Sequence, residues 1–155
     1  QNLVSKTVDA FVGYYPADGA QAEAAGTPVR SLAFDEHGGP RYPGLVAFST
    51  RKRIGEREGL VRAIVDATVR GYEDVIAAPE AGLADLVDQN PELDRKLSRA
   101  QLDAYVPLLK ADAPRFGVIR SRDVAALSAF LVRSGLIDRQ VPASRFATDR
   151  LLPPQ

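Results

Sequence analysis

Tyr14, Tyr15 and Asp18 are the residues of this chain whose types and spacing best suit chemistry. A tyrosine ring offers a flat stacking face and a phenol that can hydrogen-bond. A carboxylate accepts hydrogen bonds from an exocyclic amine or a protonated ring nitrogen, and its charge strengthens them. Grouped together, the three suit a flat heterocycle bearing an amino group. A plainer reading stands beside this one. Aspartate is favoured as a helix cap, and the two tyrosines could simply close a core.

Such residues need a platform. Val8–Tyr14 reads as a short buried parallel strand, because its apolar run ends at Gly13. Ala17–Ala25 reads as a short helix closed by Gly26 and Pro28. A strand that opens into a helix presents its C-terminal edge to solvent, where open parallel α/β sheets bind ligands. Val29–Phe34 and Gly44–Phe48 read as two further strands. Between them lies DEHGGPRYP, Asp35–Pro43, whose two glycines and two prolines predict an irregular surface hinge.

From Thr50 onward the pattern is helical. Leu60, Ile64, Ala67, Gly71 and Val75 recur at helical spacing, and Val61, Val65, Tyr72 and Ile76 widen that face. A helix is expected from Glu80 to Val87, ending near Asn90 and Pro91. Another runs from Leu93 to Lys110, with Pro107 kinking or ending it. Ser121 reads as an N-cap with Asp123 in the first turn. Val124, Leu127 and Leu131 face the core, and Gly135 stops that helix. The tail from Leu151 to Gln155 is expected to fray.

Other chemistry-bearing residues read as structural. His37 stands alone in the glycine-rich connection, without metal-ligand spacing. Arg51, Lys52 and Arg53 form a basic cluster at a helix start, a usual solvated surface. Glu56 with Glu58, and Asp88, Glu92 and Asp94, sit in first-turn or loop positions, where carboxylates favour helix N-termini. The chain contains no phosphate-cradling glycine loop, no nucleophile elbow and no zinc-protease motif. The sequence makes no positive case for an enzyme, a metal or a cofactor.

Composition bounds the class. The 155 residues carry twenty acidic and twenty basic side chains, with 45% hydrophobic and 26% charged residues. This is an ordinary globular balance, long enough to bury a sizeable core. Without a long basic block, nucleic acid and anionic membrane have no electrostatic footprint. Cysteine is absent, which excludes disulfides and cysteine-based zinc sites. No run long enough to span a membrane and no signal peptide occurs. Methionine is absent as well, and the chain starts at Gln1 within an apparent helix end, so a fragment or processed product is expected.

The segments VDAFVGYYPADG, RYPGLVAFST, LVRAIVDATVRGYEDVIAAPE, NPELDR, RFGVIRSRD and LVRSGLID occur in that order. Over Lys6–Leu151 this series resembles the C-terminal half of an ABC-transporter solute-binding protein. The nearest subfamily is named for thiamine-pyrimidine synthesis and uptake. The resemblance implies an α/β fold, the C-terminal portion of a type II periplasmic-binding-protein fold, helix-rich with parallel strands from two incomplete lobes. Residues 1–38 would end the second lobe, 39–43 would form the crossover, and 44–155 would complete the first lobe. Tyr14 and Asp18 match ligand-contacting positions of a Gly-Tyr-Tyr-x-x-Glu pattern, with Asp18 replacing the family's glutamate, and Tyr15 lies within it. Phe116-Gly117 matches an aromatic-glycine position near the region between lobes, and reads equally as a plain turn. The implied function is capture of a small heterocycle, such as a thiamine pyrimidine precursor, outside the cytoplasm and its delivery to an ABC permease. The implied alternative is a pyrimidine-precursor synthase of thiamine biosynthesis, whose cysteine-rich motif this chain lacks. With incomplete lobes, the chain is expected to self-associate or swap elements.

Overall fold

A computed structural model describes residues 2–109, 113 and 115–154. The expected end of one helix at Lys110, and the last tail residue, lie outside these. Six α-helices order the described chain: α1 (Ala20–Ala24), α2 (Arg51–Glu56), α3 (Glu58–Ala77), α4 (Pro79–Gln89), α5 (Arg95–Leu109) and α6 (Ser121–Arg133). A turn of π-helix, Tyr15–Gly19, leads into α1, and short 3-10 turns occupy Phe34–Glu36 and Ala143–Arg145.

No strand forms among the described residues, which overturns the expected α/β fold with parallel strands. The physical reason lies in the three apolar runs. A strand exists only as one side of a hydrogen-bonded ladder, and none of the three finds a partner. Val12, Leu45 and Phe48 are instead exposed, at 102%, 84% and 96%. Among the described residues the core is small: the buried apolar side chains are Ala22, Val69, Leu83, Val124 and Leu151.

Residues cluster into two units. The first comprises 1–31 and 72–112. Here α5 is the central helix, packed by the π-turn, α1 and α4. Pro79 opens α4 at a first-turn position, where its missing N–H costs nothing. Asp94 caps α5: its Oδ1 accepts the Leu97 backbone N–H at 2.8 Å. Pro107 does not end α5, which continues to Leu109. The ring removes the one backbone hydrogen bond that its missing N–H would have donated.

The second unit comprises 32–71 and 113–155. Thr50 caps α2, its Oγ1 accepting the Arg53 N–H at 3.1 Å. On α3, Val69 is buried and Val61, Val65, Tyr72, Val75 and Ile76 are half-buried, while Leu60 and Ile64 are 54% and 57% exposed. The widening positions of the expected face are thus covered, and its leading positions Leu60, Ile64, Ala67 and Gly71 are not. On α6, Val124 and Ser128 are buried and Leu127 and Leu131 half-buried, as the periodicity implies. Arg120, not Ser121, is the residue preceding α6. It supplies no side-chain cap, and its Nε instead donates to Asp123 Oδ2 at 2.6 Å.

Glycine stops α6 as expected. Gly135 has φ +67, its N–H donates to Val132 O at 3.0 Å, and Leu136 N–H donates to Leu131 O at 2.9 Å. This is the Schellman arrangement, which satisfies two orphan carbonyls. Gly26 repeats it after α1, with φ +77, through bonds to Glu23 O and from Thr27 N–H to Ala22 O.

Residues 151–153 are buried or half-buried against the second unit, where an exposed tail was expected. Leu151 is buried, Asp149 Oδ1 accepts the Ile119 N–H at 3.0 Å, and Arg115 donates to Pro153 O. Glu58 bonds both Arg62 (2.8 Å) and Arg150 (3.1 Å), and Arg62 Nη1 donates to Arg150 O at 2.8 Å. A carboxylate held between two guanidiniums ties α3 to the tail.

Candidate functional site

The site is built on the turn between the extended run and α1. Tyr14 has extended backbone (φ −90, ψ 111), and its carbonyl accepts from Ala17 N–H at 3.0 Å and Asp18 N–H at 2.8 Å. Pro16 follows at a first-turn position, its fixed φ suited to starting a helix. Pro16 and Gly19 are buried, so this wall of the turn faces the interior of its unit. The backbone is anchored from the other side by α5, where Gln101 Nε2 donates to Ala17 O at 3.3 Å.

Asp18 reaches backward. Its Oδ2 accepts the Tyr14 backbone N–H at 2.7 Å. This satisfies a donor at the start of the turn, as the acidic member of a capping box does. Asp18 does not cap the following helix, whose start has no side-chain cap; its carboxylate instead accepts the backbone N–H four residues earlier. It leaves acceptor capacity, because a carboxylate has about four lone-pair sites and one N–H uses one of them. No ion pair involves Asp18 among the described residues.

Gly13 makes the fold-back possible. A Cβ there would sit 2.5 Å from Asp18 Oδ2 and 2.6 Å from the Phe11 ring. Only a residue without a side chain allows the carboxylate to lie this close to the chain. Gly13 does more than end an apolar run: it admits the carboxylate.

The structure therefore sets the Asp18 carboxylate against the Tyr14 backbone and the Tyr15 ring against Gly19. The Tyr14 and Tyr15 side chains are 60% and 53% exposed, so they do not close a core. The Tyr15 ring lies over Gly19, where an added Cβ would be 3.0 Å from ring carbon Cδ2. Beyond it Tyr15 lines a groove of about 300 Å³ with Ala20, Glu23 and Ala24 of α1 and Lys96, Ala100 and Ala104 of α5. Lys96 and Glu23 carry no motif, and sequence reading had no signal for them. Only the approach of α1 to α5 makes them neighbours of Tyr15.

The remaining candidates lie in the second unit. His37 is exposed, with Nδ1 2.9 Å from Ala33 O. The surrounding loop is ordered by aromatic contacts. Phe34 meets Tyr42 and Phe130 edge-on, at centroid separations of 6.4 and 5.6 Å. Gly117 follows Phe116 in a turn with φ +86. Among the described residues, no cluster of three or more potential metal ligands occurs, and no helix is long and apolar enough to cross a membrane.

No curated protein matches the chain. The family model described as NMT1/THI5 like matches residues 1–82, which include the whole Tyr14–Asp18 turn, α1 to α3 and the first residues of α4. That is more than half of the 155 residues, and on this ground the chain belongs to the NMT1/THI5-like family.

Proposed function

We propose that this protein is the substrate-binding component of an ABC importer. Its solute is a small amino-bearing heterocycle, of which a thiamine pyrimidine precursor is the best instance. It works outside the cytoplasm and passes the solute to a membrane permease. The observation that carries this reading is the turn itself. A carboxylate is fixed by a 2.7 Å bond from the backbone N–H of an exposed tyrosine, inside the family-matched segment. Because the bond to Tyr14 N–H holds Asp18 in place before any ligand arrives, a ligand amine meets an acceptor whose ordering has already been accomplished. The Tyr14 ring supplies the flat face. With Asp18 where the family pattern has glutamate, the arm is shorter by one carbon–carbon bond, so the ligand must sit closer to the turn.

The test is native mass spectrometry of the protein purified from its own host. Recovery of an unmodified heterocycle supports the receptor. A pyrimidine formed during incubation of the purified protein would instead make it a synthase, the other activity found in this family.

A further inference from the structure

The groove between α1 and α5 goes beyond the Tyr14–Asp18 turn, with Tyr15 the one residue common to both. Its floor is made of alanines in two i, i+4 pairs, Ala20 with Ala24 on α1 and Ala100 with Ala104 on α5. Residues four apart share a helix face, so each pair forms a smooth strip. Lys96 continues the α5 strip one turn earlier, and Glu23 stands on the α1 side. Opposite charges thus line the groove from its two helices, Glu23 from α1 and Lys96 from α5, together with the alanines and Tyr15.

Lys96 and Glu23 do not pair with each other. Among the described residues neither makes an ion pair or a side-chain hydrogen bond, so both heads remain available. A ligand of one charge would satisfy one of these side chains and leave the other unanswered. A ligand carrying both charges satisfies both. At about 300 Å³ the groove is at the low end of small-molecule sites, the size for one ring with substituents. We propose that the groove binds a flat zwitterion, its anionic group toward Lys96, its cationic group toward Glu23 and its ring against Tyr15. A ring-borne cation also gains from the electron-rich face of tyrosine.

The probe is 1-methylnicotinate, methylated on the ring nitrogen and a flat zwitterion, with nicotinate as a singly charged anion and 1-methylnicotinamide as the cation. Each is titrated into the full chain while backbone and side-chain NMR shifts are followed. The expected result is saturable shifts at Tyr15, Lys96 and Ala100, with the zwitterion binding more tightly than either singly charged analogue. Lys96→Gln and Glu23→Gln should each weaken the zwitterion roughly two- to fivefold, the effect of an exposed charge pair. Ala100→Leu fills the floor with a good helix former and should abolish the shifts. The proposal is overturned if the three probes bind equally, if no saturable shift reaches the groove, or if Ala100→Leu leaves the titration unchanged. Binding at the turn is read separately, from Tyr14 and Asp18 shifts with an aminopyrimidine, so failure of one site does not imply failure of the other.

Discussion

Replacing Asp18 by alanine and by asparagine separates its two roles, because the structure gives each replacement a different consequence for the turn. Asp18 Oδ2 accepts the Tyr14 N–H at 2.7 Å, and the side chain is only half-buried. A hydrogen bond to a charged group contributes about 1.5–3 kcal/mol when sheltered. Solvent reduces that here, and the cap scale gives about 1 kcal/mol for loss to alanine. Asp18→Ala should therefore cost about 1 kcal/mol, or roughly 2–4 °C in Tm for a chain of this size. Asp18→Asn keeps a side-chain carbonyl that can accept the same N–H, and should stay within a few tenths of a kcal/mol of the parent. Gly13 adds a sharper arm. A Cβ at Gly13 collides with the same Oδ2 at 2.5 Å, so Gly13→Ala should displace the carboxylate and break the same bond. The two alanine substitutions should then cost less together than the sum of their separate effects. Denaturant melts of the three single variants and the double variant supply the cycle. Equal losses for Asn and Ala at position 18, or strict additivity with Gly13→Ala, would refute the reasoning.

Two further outcomes are expected. Gly117 and Gly135 both have positive φ, +86 and +67, but a Cβ at Gly135 meets open space while one at Gly117 falls 2.9 Å from Leu152 Cδ2. Gly135→Ala should cost about 1–2 kcal/mol for backbone strain alone, and Gly117→Ala should cost more and raise amide exchange at Leu152, the two being compared by denaturant melts and hydrogen exchange. Glu58 is held below the ordinary carboxylate value of 4.5 by hydrogen bonds from Arg62 and then Arg150. A depressed folded value means the clamp stabilises fully above the unfolded value and is lost as pH falls through the folded one, so protection factors at Arg150–Leu152, corrected for intrinsic exchange, should fall below about pH 4.5, and Glu58→Gln should show that lower protection already at pH 7.

The helices were legible in the sequence because their signals are local. Gly26 and Gly135 stop helices through bonds within a few residues, and Asp94 caps one from the preceding position. The face of α6 follows from Val124, Leu127 and Leu131 alone. The strands were not legible, because the apolar runs around Phe11, Leu45 and Phe48 report a wish for burial and not the presence of a ladder partner. On α3 only part of the face was legible, for a related reason. Leu60 with Ile64 and Val61 with Val65 lie on adjoining strips of one broad apolar band, and only packing decides which strip turns inward. The burial of the tail was not legible because its anchors, Glu58, Arg62 and Ile119, lie far away in sequence. At the site, residue types pointed to Tyr14, Tyr15 and Asp18, but not to the backward bond of Asp18, to the need for Gly13, or to Lys96 and Glu23.

The central claim is that the Tyr14–Asp18 turn receives an amino-bearing heterocycle. Titration calorimetry with the aminopyrimidine half of thiamine, on the parent and on Asp18→Asn, tests it most directly. The account predicts saturable binding to the parent. In Asp18→Asn it predicts an unchanged melt and about a tenfold weaker affinity, the loss of roughly 1–2 kcal/mol from a charge-assisted hydrogen bond in a half-buried setting. No binding to the parent, or equal affinity in the two proteins, would contradict it.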